Sequence, residues 1–180
     1  MDASLERNSP HGGALHLPPA DPLVADALSG FSKPESILAR SCVSVPGHGV
    51  EVAFLFPAYD RTETSMGHVS GVQMQAALLE GLYIAVVASI REGHFPSSGL
   101  SLERFREHRH DFILFKQDIT FGKMLREGEA GKLLISIERL TDVSLMKDFK
   151  QLTFKIKGFM KGTVRCLVPK TLADSELGGV

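Results

Sequence analysis

Between residues 71 and 91 the chain reads GVQMQAALLEGLYIAVVASIR, twenty-one residues with no proline and a single acid, Glu80. Val72, Ala76, Leu79, Tyr83, Val86, Val87 and Ile90 recur at helical spacing, and only Gly81 weakens the pattern. The stretch predicts a helix of about five or six turns at ~3.6 residues each. A helix apolar nearly all round is buried, so the rest of the chain must cover it. It is not a good membrane span, because the apolar stretch 69–90 is interrupted by Gln73, Gln75 and Glu80.

The sequence on either side supplies that cover. ILARSCVSVP (37–46) and GVEVAFLFP (49–57) are rich in β-formers and flank Gly47, His48 and Gly49, which predicts a hairpin. After the helix, EGHFPSSGL (92–100) reads as a loop and Ser101 as the cap of a short helical turn. Strands follow over 111–121, 132–146, 148–160 and 162–169, punctuated by Gly122, Gly128, Gly131 and Gly162. Leu152, Phe154 and Ile156 alternate with Thr153, Lys155 and Lys157, which gives one buried and one wet face. One buried helix beside strands that each bury one face implies an α+β fold with an antiparallel sheet packed on that helix. A short capping helix is expected from Asp21, with Leu23, Val24, Leu28 and Phe31 on its apolar face. Residues 1–20 read as a flexible tail, 21–170 as one domain and 171–180 as a C-terminal tail.

Charge and cysteine usage narrow the function. Twenty Lys+Arg against twenty-one Asp+Glu leave a net charge of −1, without the basic footprint of a nucleic-acid binder. Cys42 and Cys166 have neither the number nor the spacing of a disulfide framework or zinc site, so a reducing, cytoplasmic setting is expected, with no secretory signal at the N-terminus. His108 and His110 form an HxH without an evident third ligand, and no metal is expected.

Two residues of the helix region carry the chemistry. His68 follows Gly67 at the helix entrance, where the positive helix end and a close-approaching backbone suit a carbonyl oxygen, and histidine is the side chain that moves protons near neutral pH. Glu80 is the sharper signal: a carboxylate in an apolar helix needs a polar cavity or a partner, because burying it alone costs several kcal/mol. Gln73, Glu80 and Tyr83 fall in one helical sector and describe a polar stripe. Lys116 and Lys123 are candidate contacts for a phosphate.

The string GHVSGVQMQAALLEGLY resembles the Gly-His-Val-Asn-Asn segment that opens the central helix of hotdog-fold thioesterases. Together with LSLERFREHRHDFILFKQ it is similar to the FcoT-like family of acyl-thioester enzymes, which includes thioesterases and enzymes that add glycine to an enoyl-acyl carrier. The resemblance implies a hotdog fold, in the chain order β-β-α-β-β-β with the sheet wrapped around one long helix. It also implies a fatty or polyketide acyl substrate carried on the phosphopantetheine of an acyl carrier protein or on coenzyme A, with no further cofactor. His68 and Glu80 are then the catalytic pair, and Thr64, Gly67, Val69, Ser70, Gln73, Tyr83 and His108 contact substrate. His94-Phe95-Pro96 imitates a dehydratase motif but follows the helix, where that motif would precede it. A homodimer or dimer of dimers is implied, since the tunnel in such enzymes lies between subunits.

Thioester hydrolysis leads the reactions this implies. Dehydration or conjugate addition of glycine at the β-carbon is an alternative, and so is an acyl-thioester-binding protein without turnover. Thr64, where many hotdog thioesterases carry a catalytic Asp, favours the two alternatives, while Glu80 disfavours a binding protein.

Overall fold

The computed structural model describes residues 21–30, 37–56 and 68–174. In chain order the elements are α1 (Pro22–Ala27), β1 (Ala39–Val45), β2 (Gly49–Leu55), α2 (Gly71–Arg91) and α3 (Leu102–His108). A 3-10 turn (Arg109–Asp111), β3 (Ile113–Phe121), β4 (Ala130–Asp142), β5 (Phe149–Gly158), β6 (Met160–Pro169) and α4 (Lys170–Ala173) complete it.

The strands form one antiparallel sheet in the order β1-β2-β4-β5-β6-β3. The β1–β2 hairpin closes with Val45 opposite Gly49, and Gly47 and Gly49 take positive φ, the left-handed turn geometry that glycine adopts without a Cβ penalty. β3 does not pair with its sequence neighbour β4 but lies at the far edge beside β6. Strand alternation puts Val50, Val52 and Phe54 of β2, Leu133 and Ile135 of β4, and Leu152, Phe154 and Ile156 of β5 into a common core. Phe159 meets Phe54 and Phe56 edge-on, with ring centroids 6.0 and 5.5 Å away.

α2 lies on this core, and its backbone comes nearest to β1, β2 and β4. Gly81 makes the approach possible, because a Cβ there would run into Ile135 Cδ1. By length and apolarity alone α2 would suit a membrane span, but 67% of its most apolar window is buried inside the protein. At its other end α1 is tied down by a triad: Arg91 of α2 and Arg106 of α3 both reach the Asp26 carboxylate.

These observations correct the hotdog expectation. Among the described residues four strands follow α2 where that order has three, the connection through α3 and the 3-10 turn delivers β3 to the far edge, and α2 is accompanied by three shorter α-helices. The arrangement is compatible with an α+β class. α4 continues to Ala173 with Leu172 and Ala173 buried, and Ser97 and Arg104 donate to the carbonyls of Ala173 and Thr171. A buried Leu-Ala step, with the carbonyls of Thr171 and Ala173 paired, packs with the sheet.

Candidate functional site

Ser70 is the N-cap of α2. Its hydroxyl accepts from Gln73 N at 3.2 Å, and Gln73 Oε1 accepts from Ser70 N at 2.9 Å, a reciprocal capping box. Two expected substrate contacts, Ser70 and the buried Gln73, are thus engaged in starting the helix. The amides of Gly71 and Val72 belong to the same first turn, whose N–H groups have no carbonyl within the helix.

His68 and Val69 precede this cap. Val69 is buried and its N–H donates to Leu125 O at 2.9 Å, which docks the helix entrance on the segment after β3. Between them lies an open groove of about 700 Å³, whose wall includes His68, Met74, Phe121, Lys123 and Met124. It is apolar except for His68 and Lys123, and Phe121 and Met124 stand 64% and 75% exposed along it. Thr64 and Gly67 lie outside the described residues.

The groove continues along α2. Gly71, Met74 and Phe121 also line a middle section, which adds Leu78 from the helix and Gln117 and Ile119 from β3. One turn further, Leu79, Leu82, Tyr83 and Val86 face an apolar cleft of about 380 Å³ closed by Phe105 and Phe112. The helix positions used are three or four apart, a single face turned toward β3 and β6. Tyr83 donates to Arg109 O at 3.2 Å and so holds the 3-10 turn against α2; burial raises its phenol pKa. Cys166 also lines the cleft, but burial pushes its thiol up to about 12 and leaves it without thiolate character at neutral pH.

Glu80 points elsewhere. It is 3% exposed, and its carboxylate accepts from Leu38 N at 3.0 and 3.1 Å and from Ala39 N at 2.8 Å. Burial raises its pKa, and the amides of Ala39 and Leu38 and the charge of Arg40 oppose the rise. The partner that a buried acid requires is the backbone where β1 begins. Glu80 lines none of the groove sections around α2, and it sits nine residues beyond Gly71, about 13 Å along the helix axis at ~1.5 Å per residue. Within one chain His68 and Glu80 are not brought together.

His108 is half-exposed and pairs with Asp111, Nδ1 to Oδ2 at 3.0 Å. Phe105, one helical turn earlier, and Phe112, next to Asp111, line the Tyr83 cleft, so the pair stands beside its lip. Among the described residues no group of three or more His, Cys, Asp or Glu could hold a metal. Lys116 forms an ion pair with Asp118 on the outer face of β3 at 3.5 Å, away from any cavity wall given above.

Three features escaped sequence reading. The amides of Leu38 and Ala39 as the partner of Glu80 could not be found, because backbone groups leave no trace in residue identity. Asp111 as the partner of His108 is signalled only by its place three residues on, and the groove wall formed by Phe121, Met124 and Leu125 by apolar residues continuing past the end of β3.

No family model matches the chain, and no curated protein does. Among solved structures it is similar to Cj0977, a sigma28-regulated virulence protein from Campylobacter jejuni. The TM-score is 0.46 at 9% identity, over 83% of this chain and 93% of that one.

Proposed function

We propose that the chain is an enzyme acting on fatty or polyketide acyl thioesters, with thioester hydrolysis as its reaction. The observation that carries this reading is the groove at the start of α2, where a histidine and a lysine flank an otherwise apolar wall, and beyond it a section lined by Leu78, Ile119 and Met160 but also by Gln75 and Gln117 continues along the helix. An acyl chain would follow the apolar face, and the thioester carbonyl would sit by His68 and the amides of the first helical turn. Lys123, on the groove wall and 3.9 Å from Glu129, would meet a phosphate of the phosphopantetheine arm or of coenzyme A. The similarity of MGHVSGVQMQAALLEGLY to the FcoT-like enzymes supports the same substrate class. In this reading His68 is the proton-transfer group, the setting is cytoplasmic, and Glu80 contributes through the fold.

One observation favours a second reading, an acyl-thioester-binding protein without turnover: the carboxylate expected to drive catalysis is occupied by two backbone amides. Intact-mass analysis of acyl- and enoyl-carrier proteins and acyl-coenzyme A after incubation with the chain separates the outcomes. Loss of the acyl group supports hydrolysis; loss of water or gain of an amine replaces it with β-carbon chemistry. Unchanged substrates that nevertheless bind favour the second reading, and absence of binding overturns both.

A further inference from the structure

Gln73, Glu80 and Thr153 are the buried polar side chains among the described residues. Gln73 caps α2 and Glu80 clamps the start of β1, whereas Thr153, 3% exposed, takes part in neither. Strand alternation turns it away from Leu152 and Phe154, which fill the core, and onto the face of the sheet opposite α2. Leu167 of β6 is buried on that same outer face and stands apart from the core cluster.

The pairing registers set Arg139 of β4, Thr153 of β5, Arg165 of β6 and Lys116 of β3 side by side in one row across four strands. Neighbouring strands lie about 4.8 Å apart, so the two arginines flank Thr153 at roughly 10 Å from each other, a gap that two guanidinium arms can close over one anion. The centre of the row offers protons and lacks acceptors. Thr153 Oγ1 accepts from Gln151 Nε2 at 3.2 Å, which leaves its O–H to donate. Arg165 Nε is buried with no hydrogen-bond partner, and neither Arg165 nor Arg139 has an ion pair among the described residues. A buried donor without an acceptor is destabilising, and an anion met edge-on by Arg165 would supply one to Nε and Nη together.

The other cations of this face do not share that setting. Lys132 pairs with Glu51 at 2.7 Å, Lys155 with Glu138 at 3.6 Å and Lys116 with Asp118 at 3.5 Å. Lys157 and Lys161, which have no such partner among the described residues, stand four positions along β5 and β6 from Thr153 and Arg165, about 13 Å at ~3.3 Å per residue. The uncompensated charge is focused on one spot rather than spread as the footprint of a nucleic acid. No large apolar side chain of β4, β5 or β6 is exposed to form the centre of a protein interface.

We propose that Arg139, Thr153 and Arg165 form an anion site on the outer face of the sheet, and that its occupant is the phosphate of a small-molecule monoester. Such a phosphate carries nearly two charges and three free oxygens at neutral pH, which match two guanidinium forks and one hydroxyl. A carboxylate, with one charge and two oxygens, would leave one of the three donors unfilled. The site lies across the sheet from the groove along α2 and does not rest on the acyl-thioester reading.

Calorimetry of the full chain with inorganic phosphate and with glycerol 3-phosphate should show saturable binding of one anion per chain, with a matching rise in melting temperature. Arg165→Gln and Arg139→Gln should each weaken binding by at least about tenfold, the scale of a lost charge-assisted hydrogen bond, with circular dichroism unchanged. Should Arg165→Gln disturb the fold, Arg139→Gln, at an exposed position, carries the same expectation. Arg165→Lys keeps the charge without the fork and should behave as Arg165→Gln does, while Lys157→Gln should bind as the wild type. In nitrogen-15 spectra the Arg165 Nε–H signal should move as phosphate saturates the site. Absence of saturable binding, equal weakening by Lys157→Gln, or full affinity in Arg165→Lys overturns the proposal, the last two because they mean diffuse attraction by surface charge. Tighter binding of a phosphoserine peptide than of glycerol 3-phosphate overturns the small-molecule occupant and assigns the site to a protein partner.

Discussion

At the level of single residues, Glu80 and His68 divide the work that the sequence assigns to them jointly. The carboxylate of Glu80 fastens the first residues of β1 to α2, so Glu80→Leu leaves the amides of Leu38 and Ala39 without their acceptor. A loss of about 1–3 kcal/mol per unsatisfied buried group follows, against any gain from the apolar side chain, and urea denaturation should show a lower midpoint. The pH dependence has a definite sign. Because the folded-state pKa of Glu80 is raised, the native state holds the proton more tightly than the unfolded chain. Its contribution to stability is therefore present below the ordinary carboxylate range and declines as pH rises through the folded pKa. Melting temperatures across acidic to neutral pH should fall less in Glu80→Gln than in the wild type. His68 stands apart from this clamp: His68→Ala should lower turnover by about 10²-fold, the scale of a general acid–base group, with little change in melting temperature. Unchanged turnover on a substrate the wild type processes would remove His68 from the chemistry.

At the level of elements, local signals carried far. The apolar run from Val72 to Ile90, the Gly47–Gly49 hairpin and the alternation through Leu152, Phe154 and Ile156 correspond to α2, the β1–β2 turn and β5. Each is a short-range pattern set by backbone geometry, which is why it is legible. The position of β3 was not, because strand order depends on how the α3 connection crosses the sheet, and the residues of that connection encode a helix and a turn without encoding a destination. The polar stripe on α2 failed for a similar reason: helical phase says that Gln73, Glu80 and Tyr83 are near one another in angle, and the three face a cap, a strand start and a cleft. The packing of α2 gives its own test at Gly81. Alanine gains about 1 kcal/mol of helix propensity there but overpacks Ile135, at a cost of about 1–3 kcal/mol. Gly81→Ala should be neutral to destabilising, and adding Ile135→Val, which withdraws the opposing methyl, should recover more stability than Ile135→Val loses in the wild-type background. Additive effects in that double-mutant cycle would mean that the helix does not rest on Ile135.

For the whole molecule, the question is what holds the end of the sheet where β5 begins and β6 finishes, with Phe149 opposite Pro169. The structure answers with its last four-residue helix. Leu172 and Ala173 of α4 are buried, Lys170 N donates to Asp148 O at 2.8 Å, and Lys150 of β5 pairs with Asp174. Arg104 of α3 donates to both Gly99 O and Thr171 O, so the same side chain ties the loop after α2 to the C-terminal helix. Ending the chain at Pro169 therefore removes a buried leucine, worth about 1.5–3 kcal/mol by area, takes from Ser97 its carbonyl partner and leaves Arg104 only its bond to Gly99 O. Ending it at Asp174 retains all of these contacts. We expect the shorter chain to melt below the longer one, by roughly 6–12 °C if the combined loss is near 3 kcal/mol, since about 1 kcal/mol shifts the melting temperature of a domain of this size by roughly 2–4 °C. Hydrogen exchange should place the loosened amides in α3 and the loop after α2, far from the cut in sequence. Equal melting temperatures for the two truncations would show that α4 lies on the sheet without bracing it.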